Sequence, residues 1–141
     1  SPMFGYARIM TSLSAFERLL DLDQRPANGI CFCLGNFLAM GGDPIDVFHR
    51  LESRVSYIHF RDVCGRAERF IETFHDDGPT DMAAVMRAFV HSGIDAPLRC
   101  DHVPQMVGES SGEPGYTMLG RLFAVGYIRG LMQATQSSAV L

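Results

Sequence analysis

Short apolar runs alternate along this chain with stretches of helical period, and that order restricts its fold more than any other feature. "NGICFC" (28–33), "RVSYIHF" (54–60) and "PLRCD" (97–101) read as buried strands, and "YARIM" (6–10) as a short fourth. Between and after them lie four helical segments. "SAFERLLDL" has Ser14 and Glu17 at capping-box spacing. "DPIDVFHRLE" offers Asp43 as N-cap and Pro44 at the first helical position, with Ile45, Phe48 and Leu51 on one stripe. Met82, Val85, Met86, Phe89 and Val90 repeat at helical spacing until Gly93 stops them, and "YTMLGRLFAVGYIRGLMQ" is a long apolar helix.

A β-α-β-α-β-α-β-α order implies parallel strands joined by right-handed helical crossovers. The expected fold class is therefore α/β. It is half of a (β/α)8 barrel with about four parallel strands and flanking helices, or else a small doubly wound sheet. With 141 residues the chain forms one domain at most. Residues 1–134 are expected to make the half-barrel, and "TQSSAVL" (135–141) a tail.

Composition excludes some functions. A formal charge of −4 argues against nucleic acid or an acidic membrane as partner, and no apolar run reaches transmembrane length. All basic residues are arginine, so no lysine can serve as base or Schiff-base former. The four cysteines make no CxxC pair and no disulfide-like framework. With no secretory signal at the N-terminus, free thiols in a reducing cytoplasm are expected.

Three metal-ligand types end three strands: Cys33, His59 and Asp101. Parallel α/β folds gather their active sites at the carboxyl ends of strands. A thiolate, an imidazole and a carboxylate together suit a divalent transition ion. Singly, each has a plainer reading as a buried small residue or a hydrogen-bonded core group. Alternation turns Ile30, Phe32, Ile58, Phe60 and Leu98 toward the helices, and Cys33, Tyr57, His59, Arg61, Arg99 and Asp101 toward the interior.

Buried guanidinium groups need anions, so Arg61 and Arg99 point either to an inward carboxylate of the protein or to a substrate carboxylate. His75, in the polar loop "FHDDGPTD", sits where a site would lie, or is a solvated loop residue. His102 follows Asp101, and Tyr116 opens the last helix, where it could serve as an acid or pack on the sheet. Cys31, Cys64 and Cys100 are read as bystanders, and His49 and His91 as helix-surface residues.

"GICFCLGN", "YIHFRDV", "FHDDGPTDM", "RCDHVPQM" and "PGYTMLGRLFAVGYIRGL" together resemble, in order and context, the C-terminal half of mannonate dehydratase, from about Gly5 to Met132. The resemblance implies a metal-dependent (β/α)8 barrel related to xylose isomerase. Such a barrel removes water from D-mannonate to give 2-keto-3-deoxy-D-gluconate in hexuronate breakdown, with Mn2+ or a similar divalent ion. It implies metal ligation by Cys33, His59 and Asp101, proton-transfer roles for His102 and Tyr116, and a place for Arg61 and His75 in motifs lining the substrate site. Cys100 and Val103 depart from the family's usual proline and glycine.

In that family the first half of the barrel supplies another histidine ligand and more substrate contacts. A half-barrel leaves sheet edges and an inner face open. It is thus expected to be a fragment lacking its N-terminal half-barrel, or to self-associate as a homo-oligomer. Three readings follow: a dehydratase half that needs its barrel completed; a non-catalytic, stand-alone half-barrel that binds metal or sugar acid; and an isomerase or epimerase of the same fold. Cys33 counts against the last, since such metal sites lean on carboxylates.

Overall fold

The Asp43 carboxylate accepts from the amides of Ile45 and Asp46 and starts a helix whose first residue is Pro44. At the other end of the chemistry of caps, Gly93 takes φ +69° and closes the helix that Asp81 opens. Side-chain caps of this kind open three helices in the computed structural model, which describes residues 5–109 and 112–138.

In chain order the elements are α1 (Leu13–Leu22), β1 (Ile30–Cys33), α2 (Leu34–Ala39), α3 (Pro44–Leu51), a 3-10 turn (Glu52–Arg54) and β2 (Val55–His59). Then come β3 (Asp62–Arg66), β4 (Arg69–Thr73), α4 (Met82–Ser92), β5 (Leu98–Arg99) and α5 (Met118–Ser138). β1, β2 and β5 form a parallel sheet in that order; β3 and β4 form a separate antiparallel hairpin. A parallel sheet with helices against one face is the arrangement of part of a (β/α)8 barrel.

Some expectations are corrected. The parallel strands number three among the described residues, because 6–10 forms no strand: Tyr6 is a single bridging residue, and Tyr6 and Ile9 stand exposed with no apolar surface to cover them. α1 starts at Leu13, and its cap lies two residues before the one read at Ser14: Ser12 accepts from the Ala15 amide. α5 runs on through Thr135 to Ser138, into the segment read as tail; 139–141 lie outside the described residues. The hairpin and α2 were not anticipated.

The inward–outward alternation is as the strands imply. Ile30, Phe32, Ile58 and Phe60 are buried under the helices. Phe32 lies at the centre, with ring centroids 5.0 Å from Phe37, 5.7 Å from Phe48 and 6.1 Å from Phe89. Val47, Leu51, Met82, Val85 and Met86 close the core around them. The opposite face carries Cys31, Tyr57 and His59 and is at least partly open. That is the face a whole barrel would enclose.

Asp62 holds the loop that leads into α4. Its buried carboxylate accepts from the Thr80 amide (3.0 Å) and from the Thr80 hydroxyl (2.7 Å). A Cβ at Gly78 would fall 2.0 Å from Asp62 Oδ2, so the chain needs glycine there to pass.

Candidate metal centre

Register brings the strand ends into one row. Cys33 pairs with His59 and His59 with Arg99, which places Asp101 two residues beyond that row. Asp101 has φ +51°, a left-handed backbone that aspartate tolerates better than most residues and that tends to gather at functional sites. Its carboxylate is buried, with Oδ2 3.8 Å from Cys33 Sγ and 3.5 Å from His59 Nδ1.

One donor atom from each of Cys33, His59 and Asp101 lies within 4.8 Å of the others. Ligands bound at roughly 2.0–2.3 Å around a tetrahedral ion stand about 3.3–3.8 Å apart, so this donor set fits a divalent transition metal in both chemistry and reach. Burial pushes the Cys33 thiol upward, against the pull of Arg61. Burial also lowers His59, opposed by Asp101, and so favours the neutral imidazole that a metal requires.

Arginines surround the carboxylate. Arg61 Nη1 is 3.5 Å and Arg99 Nη2 3.6 Å from Asp101. Arg61 is buried, reaches Glu72 Oε1 at 3.1 Å and donates to Asn36 Oδ1 at 3.1 Å. Between the two sequence readings of Arg61, the geometry favours an inward carboxylate of the protein: the fork already faces two. Arg99 is half-buried and lies 6.0 Å from the centre of the Tyr116 ring.

His102 and Tyr116 meet directly, with His102 Nε2 2.6 Å from the Tyr116 hydroxyl oxygen. Both are partly exposed on the rim beside Asp101. Gly115, at φ +87°, passes close under the imidazole, where a Cβ would sit 3.4 Å from its Cγ.

His75 lies apart from this open cluster. It is 1% exposed, its Nε2 is 2.6 Å from the Phe60 carbonyl oxygen, and its ring stacks on Phe60. Burial lowers its pKa, while the carbonyls of Phe60 and Cys100 oppose that shift. The Phe60 carbonyl adjoins His59 in sequence, so His75 braces the end of the strand that carries it. In this chain His75 is thus enclosed against Phe60 and does not face the polar cluster.

Glu72 was not singled out by sequence. It sits on β4 at the centre of the polar cluster, with Oε1 3.4 Å from His102 Nδ1 as well as 3.1 Å from Arg61. Burial raises its pKa against both partners. The period-2 run "RFIET" was the available signal, but its mostly exposed side chains give no apolar face to mark a strand. A cleft of 610 Å3 lined by Leu38, Asp43, Val63, Arg66 and Asp81 includes none of these residues. Within the cluster Cys33, Arg61 and Asp101 are buried, and His59, Glu72 and His102 are partly exposed.

With that geometry in hand, comparison with known proteins is informative. The family model described as "D-mannonate dehydratase (UxuA)" matches residues 1–140. The chain belongs to the mannonate dehydratase family. The mannonate dehydratase of Enterococcus faecalis is 36% identical over 142 residues, covering 96% of this chain and 39% of that protein. That of Streptococcus equi subsp. zooepidemicus is 34% identical, covering 97% and 39%. The crystal structure of mannonate dehydratase from Streptococcus suis serotype 2 superposes with a TM-score of 0.88 at 32% identity, over 97% of this chain and 41% of that one. The chain thus spans about two fifths of the length of these mannonate dehydratases, and its α/β fold is a partial barrel. Among the described residues no helix is long and apolar enough to cross a membrane.

Proposed function

We propose that this chain is the C-terminal part of a metal-dependent D-mannonate dehydratase, which yields 2-keto-3-deoxy-D-gluconate and water once an N-terminal half-barrel completes it. The observation that carries the reading is the meeting of three ligand types within 4.8 Å at three strand ends, beside a hydrogen-bonded His–Tyr pair. Cys33, His59 and Asp101 would hold the ion, of which Mn2+ is the proposed identity. Bound there, a divalent cation supplies Lewis-acid stabilisation for negative charge building on the substrate carboxylate.

The chain's own residues account for the protons. Dehydration removes a proton from the carbon next to the carboxylate and expels hydroxide from the following carbon, which must be protonated to leave. His102 and Tyr116 share one proton across 2.6 Å and supply a base and an acid in one unit. Arg61 fixes Asp101 and Glu72 and lends positive charge to the floor of the site. The substrate is a sugar acid, and a cytoplasmic setting suits four free thiols.

The test is a Co2+ titration of the purified chain, with the thiolate-to-cobalt charge-transfer band as readout. Binding should saturate near one ion per chain and vanish in Cys33→Ala and Asp101→Ala. Wild-type protein without the band would sink the assignment. Dehydratase activity is then sought after mixing with the complementary N-terminal portion of the Enterococcus faecalis relative.

A second reading, a self-associating half-barrel without dehydratase activity, draws on exposed apolar residues along α5: Met118, Leu119, Leu122 and Val125. Sedimentation distinguishes them, since a monomer that gains activity only with the N-terminal portion excludes it.

A further inference from the structure

Proton transfer through His102 requires its two ring nitrogens to differ: one must carry hydrogen and the other a lone pair. A neutral imidazole free in water prefers its hydrogen on Nε2, which would aim a donor at Tyr116 and leave the ring unable to take a proton there. Something on the Nδ1 side must reverse that preference. Among the described residues, the carboxylate ion-paired on that side is Glu72.

We propose that Glu72 is the positioning residue of the His102–Tyr116 pair: its carboxylate accepts Nδ1–H, leaving Nε2 as the acceptor for the tyrosine hydroxyl. Four observations carry this. Glu72 Oε1 is 3.4 Å from His102 Nδ1, while the opposite nitrogen is 2.6 Å from the tyrosine oxygen. The carboxylate is held by Arg61 at 3.1 Å, and Arg61 is itself tied to Asn36 and Asp101. Glu72 Oε2 is buried with no hydrogen-bond partner, and Oε1 is shared between Arg61 and His102. Gly115 runs beside the imidazole, where a Cβ would stand in ordinary contact at 3.4 Å from its Cγ.

The competitor is Asp101, whose Oδ1 lies 3.9 Å from Nε2 and would favour a hydrogen there. It is already paired with Arg61, Arg99 and His59, and it is farther away than Glu72 is from Nδ1. Glu72 therefore decides the tautomer. The hairpin β3–β4 gains a purpose from this: it carries one carboxylate over the rim, behind the histidine that works there. The arrangement acts through His102, since Glu72 touches no reacting atom in this scheme, as in the carboxylate–histidine pairs of hydrolases.

The inference rests on the dehydratase reading for its purpose, but its test does not. The chain is labelled with 15N-histidine, and two-bond 15N–1H correlations are recorded metal-free at about pH 8, above the ordinary histidine range. His102→Asn assigns the signal. Wild-type His102 should show hydrogen on Nδ1 and a bare Nε2; Glu72→Ala should move the hydrogen to Nε2. Glu72→Gln, whose amide oxygen still accepts, should restore the wild-type pattern.

Hydrogen on Nε2 in the wild type overturns the proposal by itself, whether or not the alanine variant folds. An unchanged tautomer in a folded Glu72→Ala also overturns it. Neither metal nor turnover enters the spectrum, so a chain that binds no Co2+ would refute the dehydratase reading and leave the Glu72 result standing.

Discussion

Arg61 lies across the backbone of Gly35 so closely that a Cβ there would fall 2.3 Å from its Nε. The glycine of "CLGN" is thus a passage for the arginine of "HFRDV", and Asn36 next to it accepts from the same guanidinium. Gly35→Ala must push Arg61 off its ion pairs with Asp101 and Glu72. We expect a loss of about 1–3 kcal/mol in urea unfolding, the usual cost of overpacking. Co2+ affinity should fall as well. An unchanged unfolding midpoint would show that Arg61 moves aside freely.

Asp62 is the buried anchor of the loop before α4, where three donors converge: the Val63 amide, the Thr80 amide and the Thr80 hydroxyl. Asp62→Ala strands them and should cost about 3 kcal/mol or more. Thr80→Val removes one bond and should cost about 1 kcal/mol. Both are read by denaturant unfolding. Equal losses would mean the carboxylate does no more than meet the hydroxyl.

Much of this was legible because its causes are local. Asp43–Pro44 and Gly93 act within one helical turn, and alternation in "ICFC" and "SYIHF" sorts core from site without knowledge of neighbours. The strand-end rule then brought Cys33, His59 and Asp101 to one spot. What escaped depends on partners. α2 is six residues long, too short to display a period, and follows directly on Cys33, its N-cap. The hairpin has only Asp62 and Val63 fully buried, so its strands lack the apolar face that marks one. Glu72 went with it. His75 reads as a solvated loop residue because nothing in "FHDDGP" reveals that its loop folds under Phe60.

His75 makes stability depend on pH. Burial holds its pKa below the ordinary value of about 6.5, so the unfolded chain binds the proton more readily than the folded one. The contribution is full above that value and is lost as pH falls through the lowered folded value. Unfolding midpoints should therefore drop as pH falls below about 6.5. His75→Gln, which can still donate to the Phe60 carbonyl but does not titrate, should flatten that slope. A slope of equal steepness in the variant would assign the effect to other groups.

Phe32 on β1 packs against Phe37, Phe48 and Phe89 and has no exposed surface. Phe32→Ala should cost about 3–5 kcal/mol, and Phe32→Leu much less, since volume is largely retained. Thermal unfolding by circular dichroism reads both. If the two variants lost the same stability, the aromatic contacts rather than the filled volume would be what the core requires.

The Cys33 thiol must give up its proton to become a ligand, and burial makes that proton harder to remove. Ion binding should consequently release a proton from Cys33, and affinity should rise with pH across the neutral range. His59 adds little to this dependence at neutral pH because burial already favours its neutral form. Calorimetric Co2+ titrations in two buffers of different ionisation heat count the protons released. Cys33→Ser should weaken binding and abolish the thiolate band. Binding that is indifferent to pH between about 6.5 and 8.5 would mean that the thiol stays protonated and that Cys33 is not a ligand.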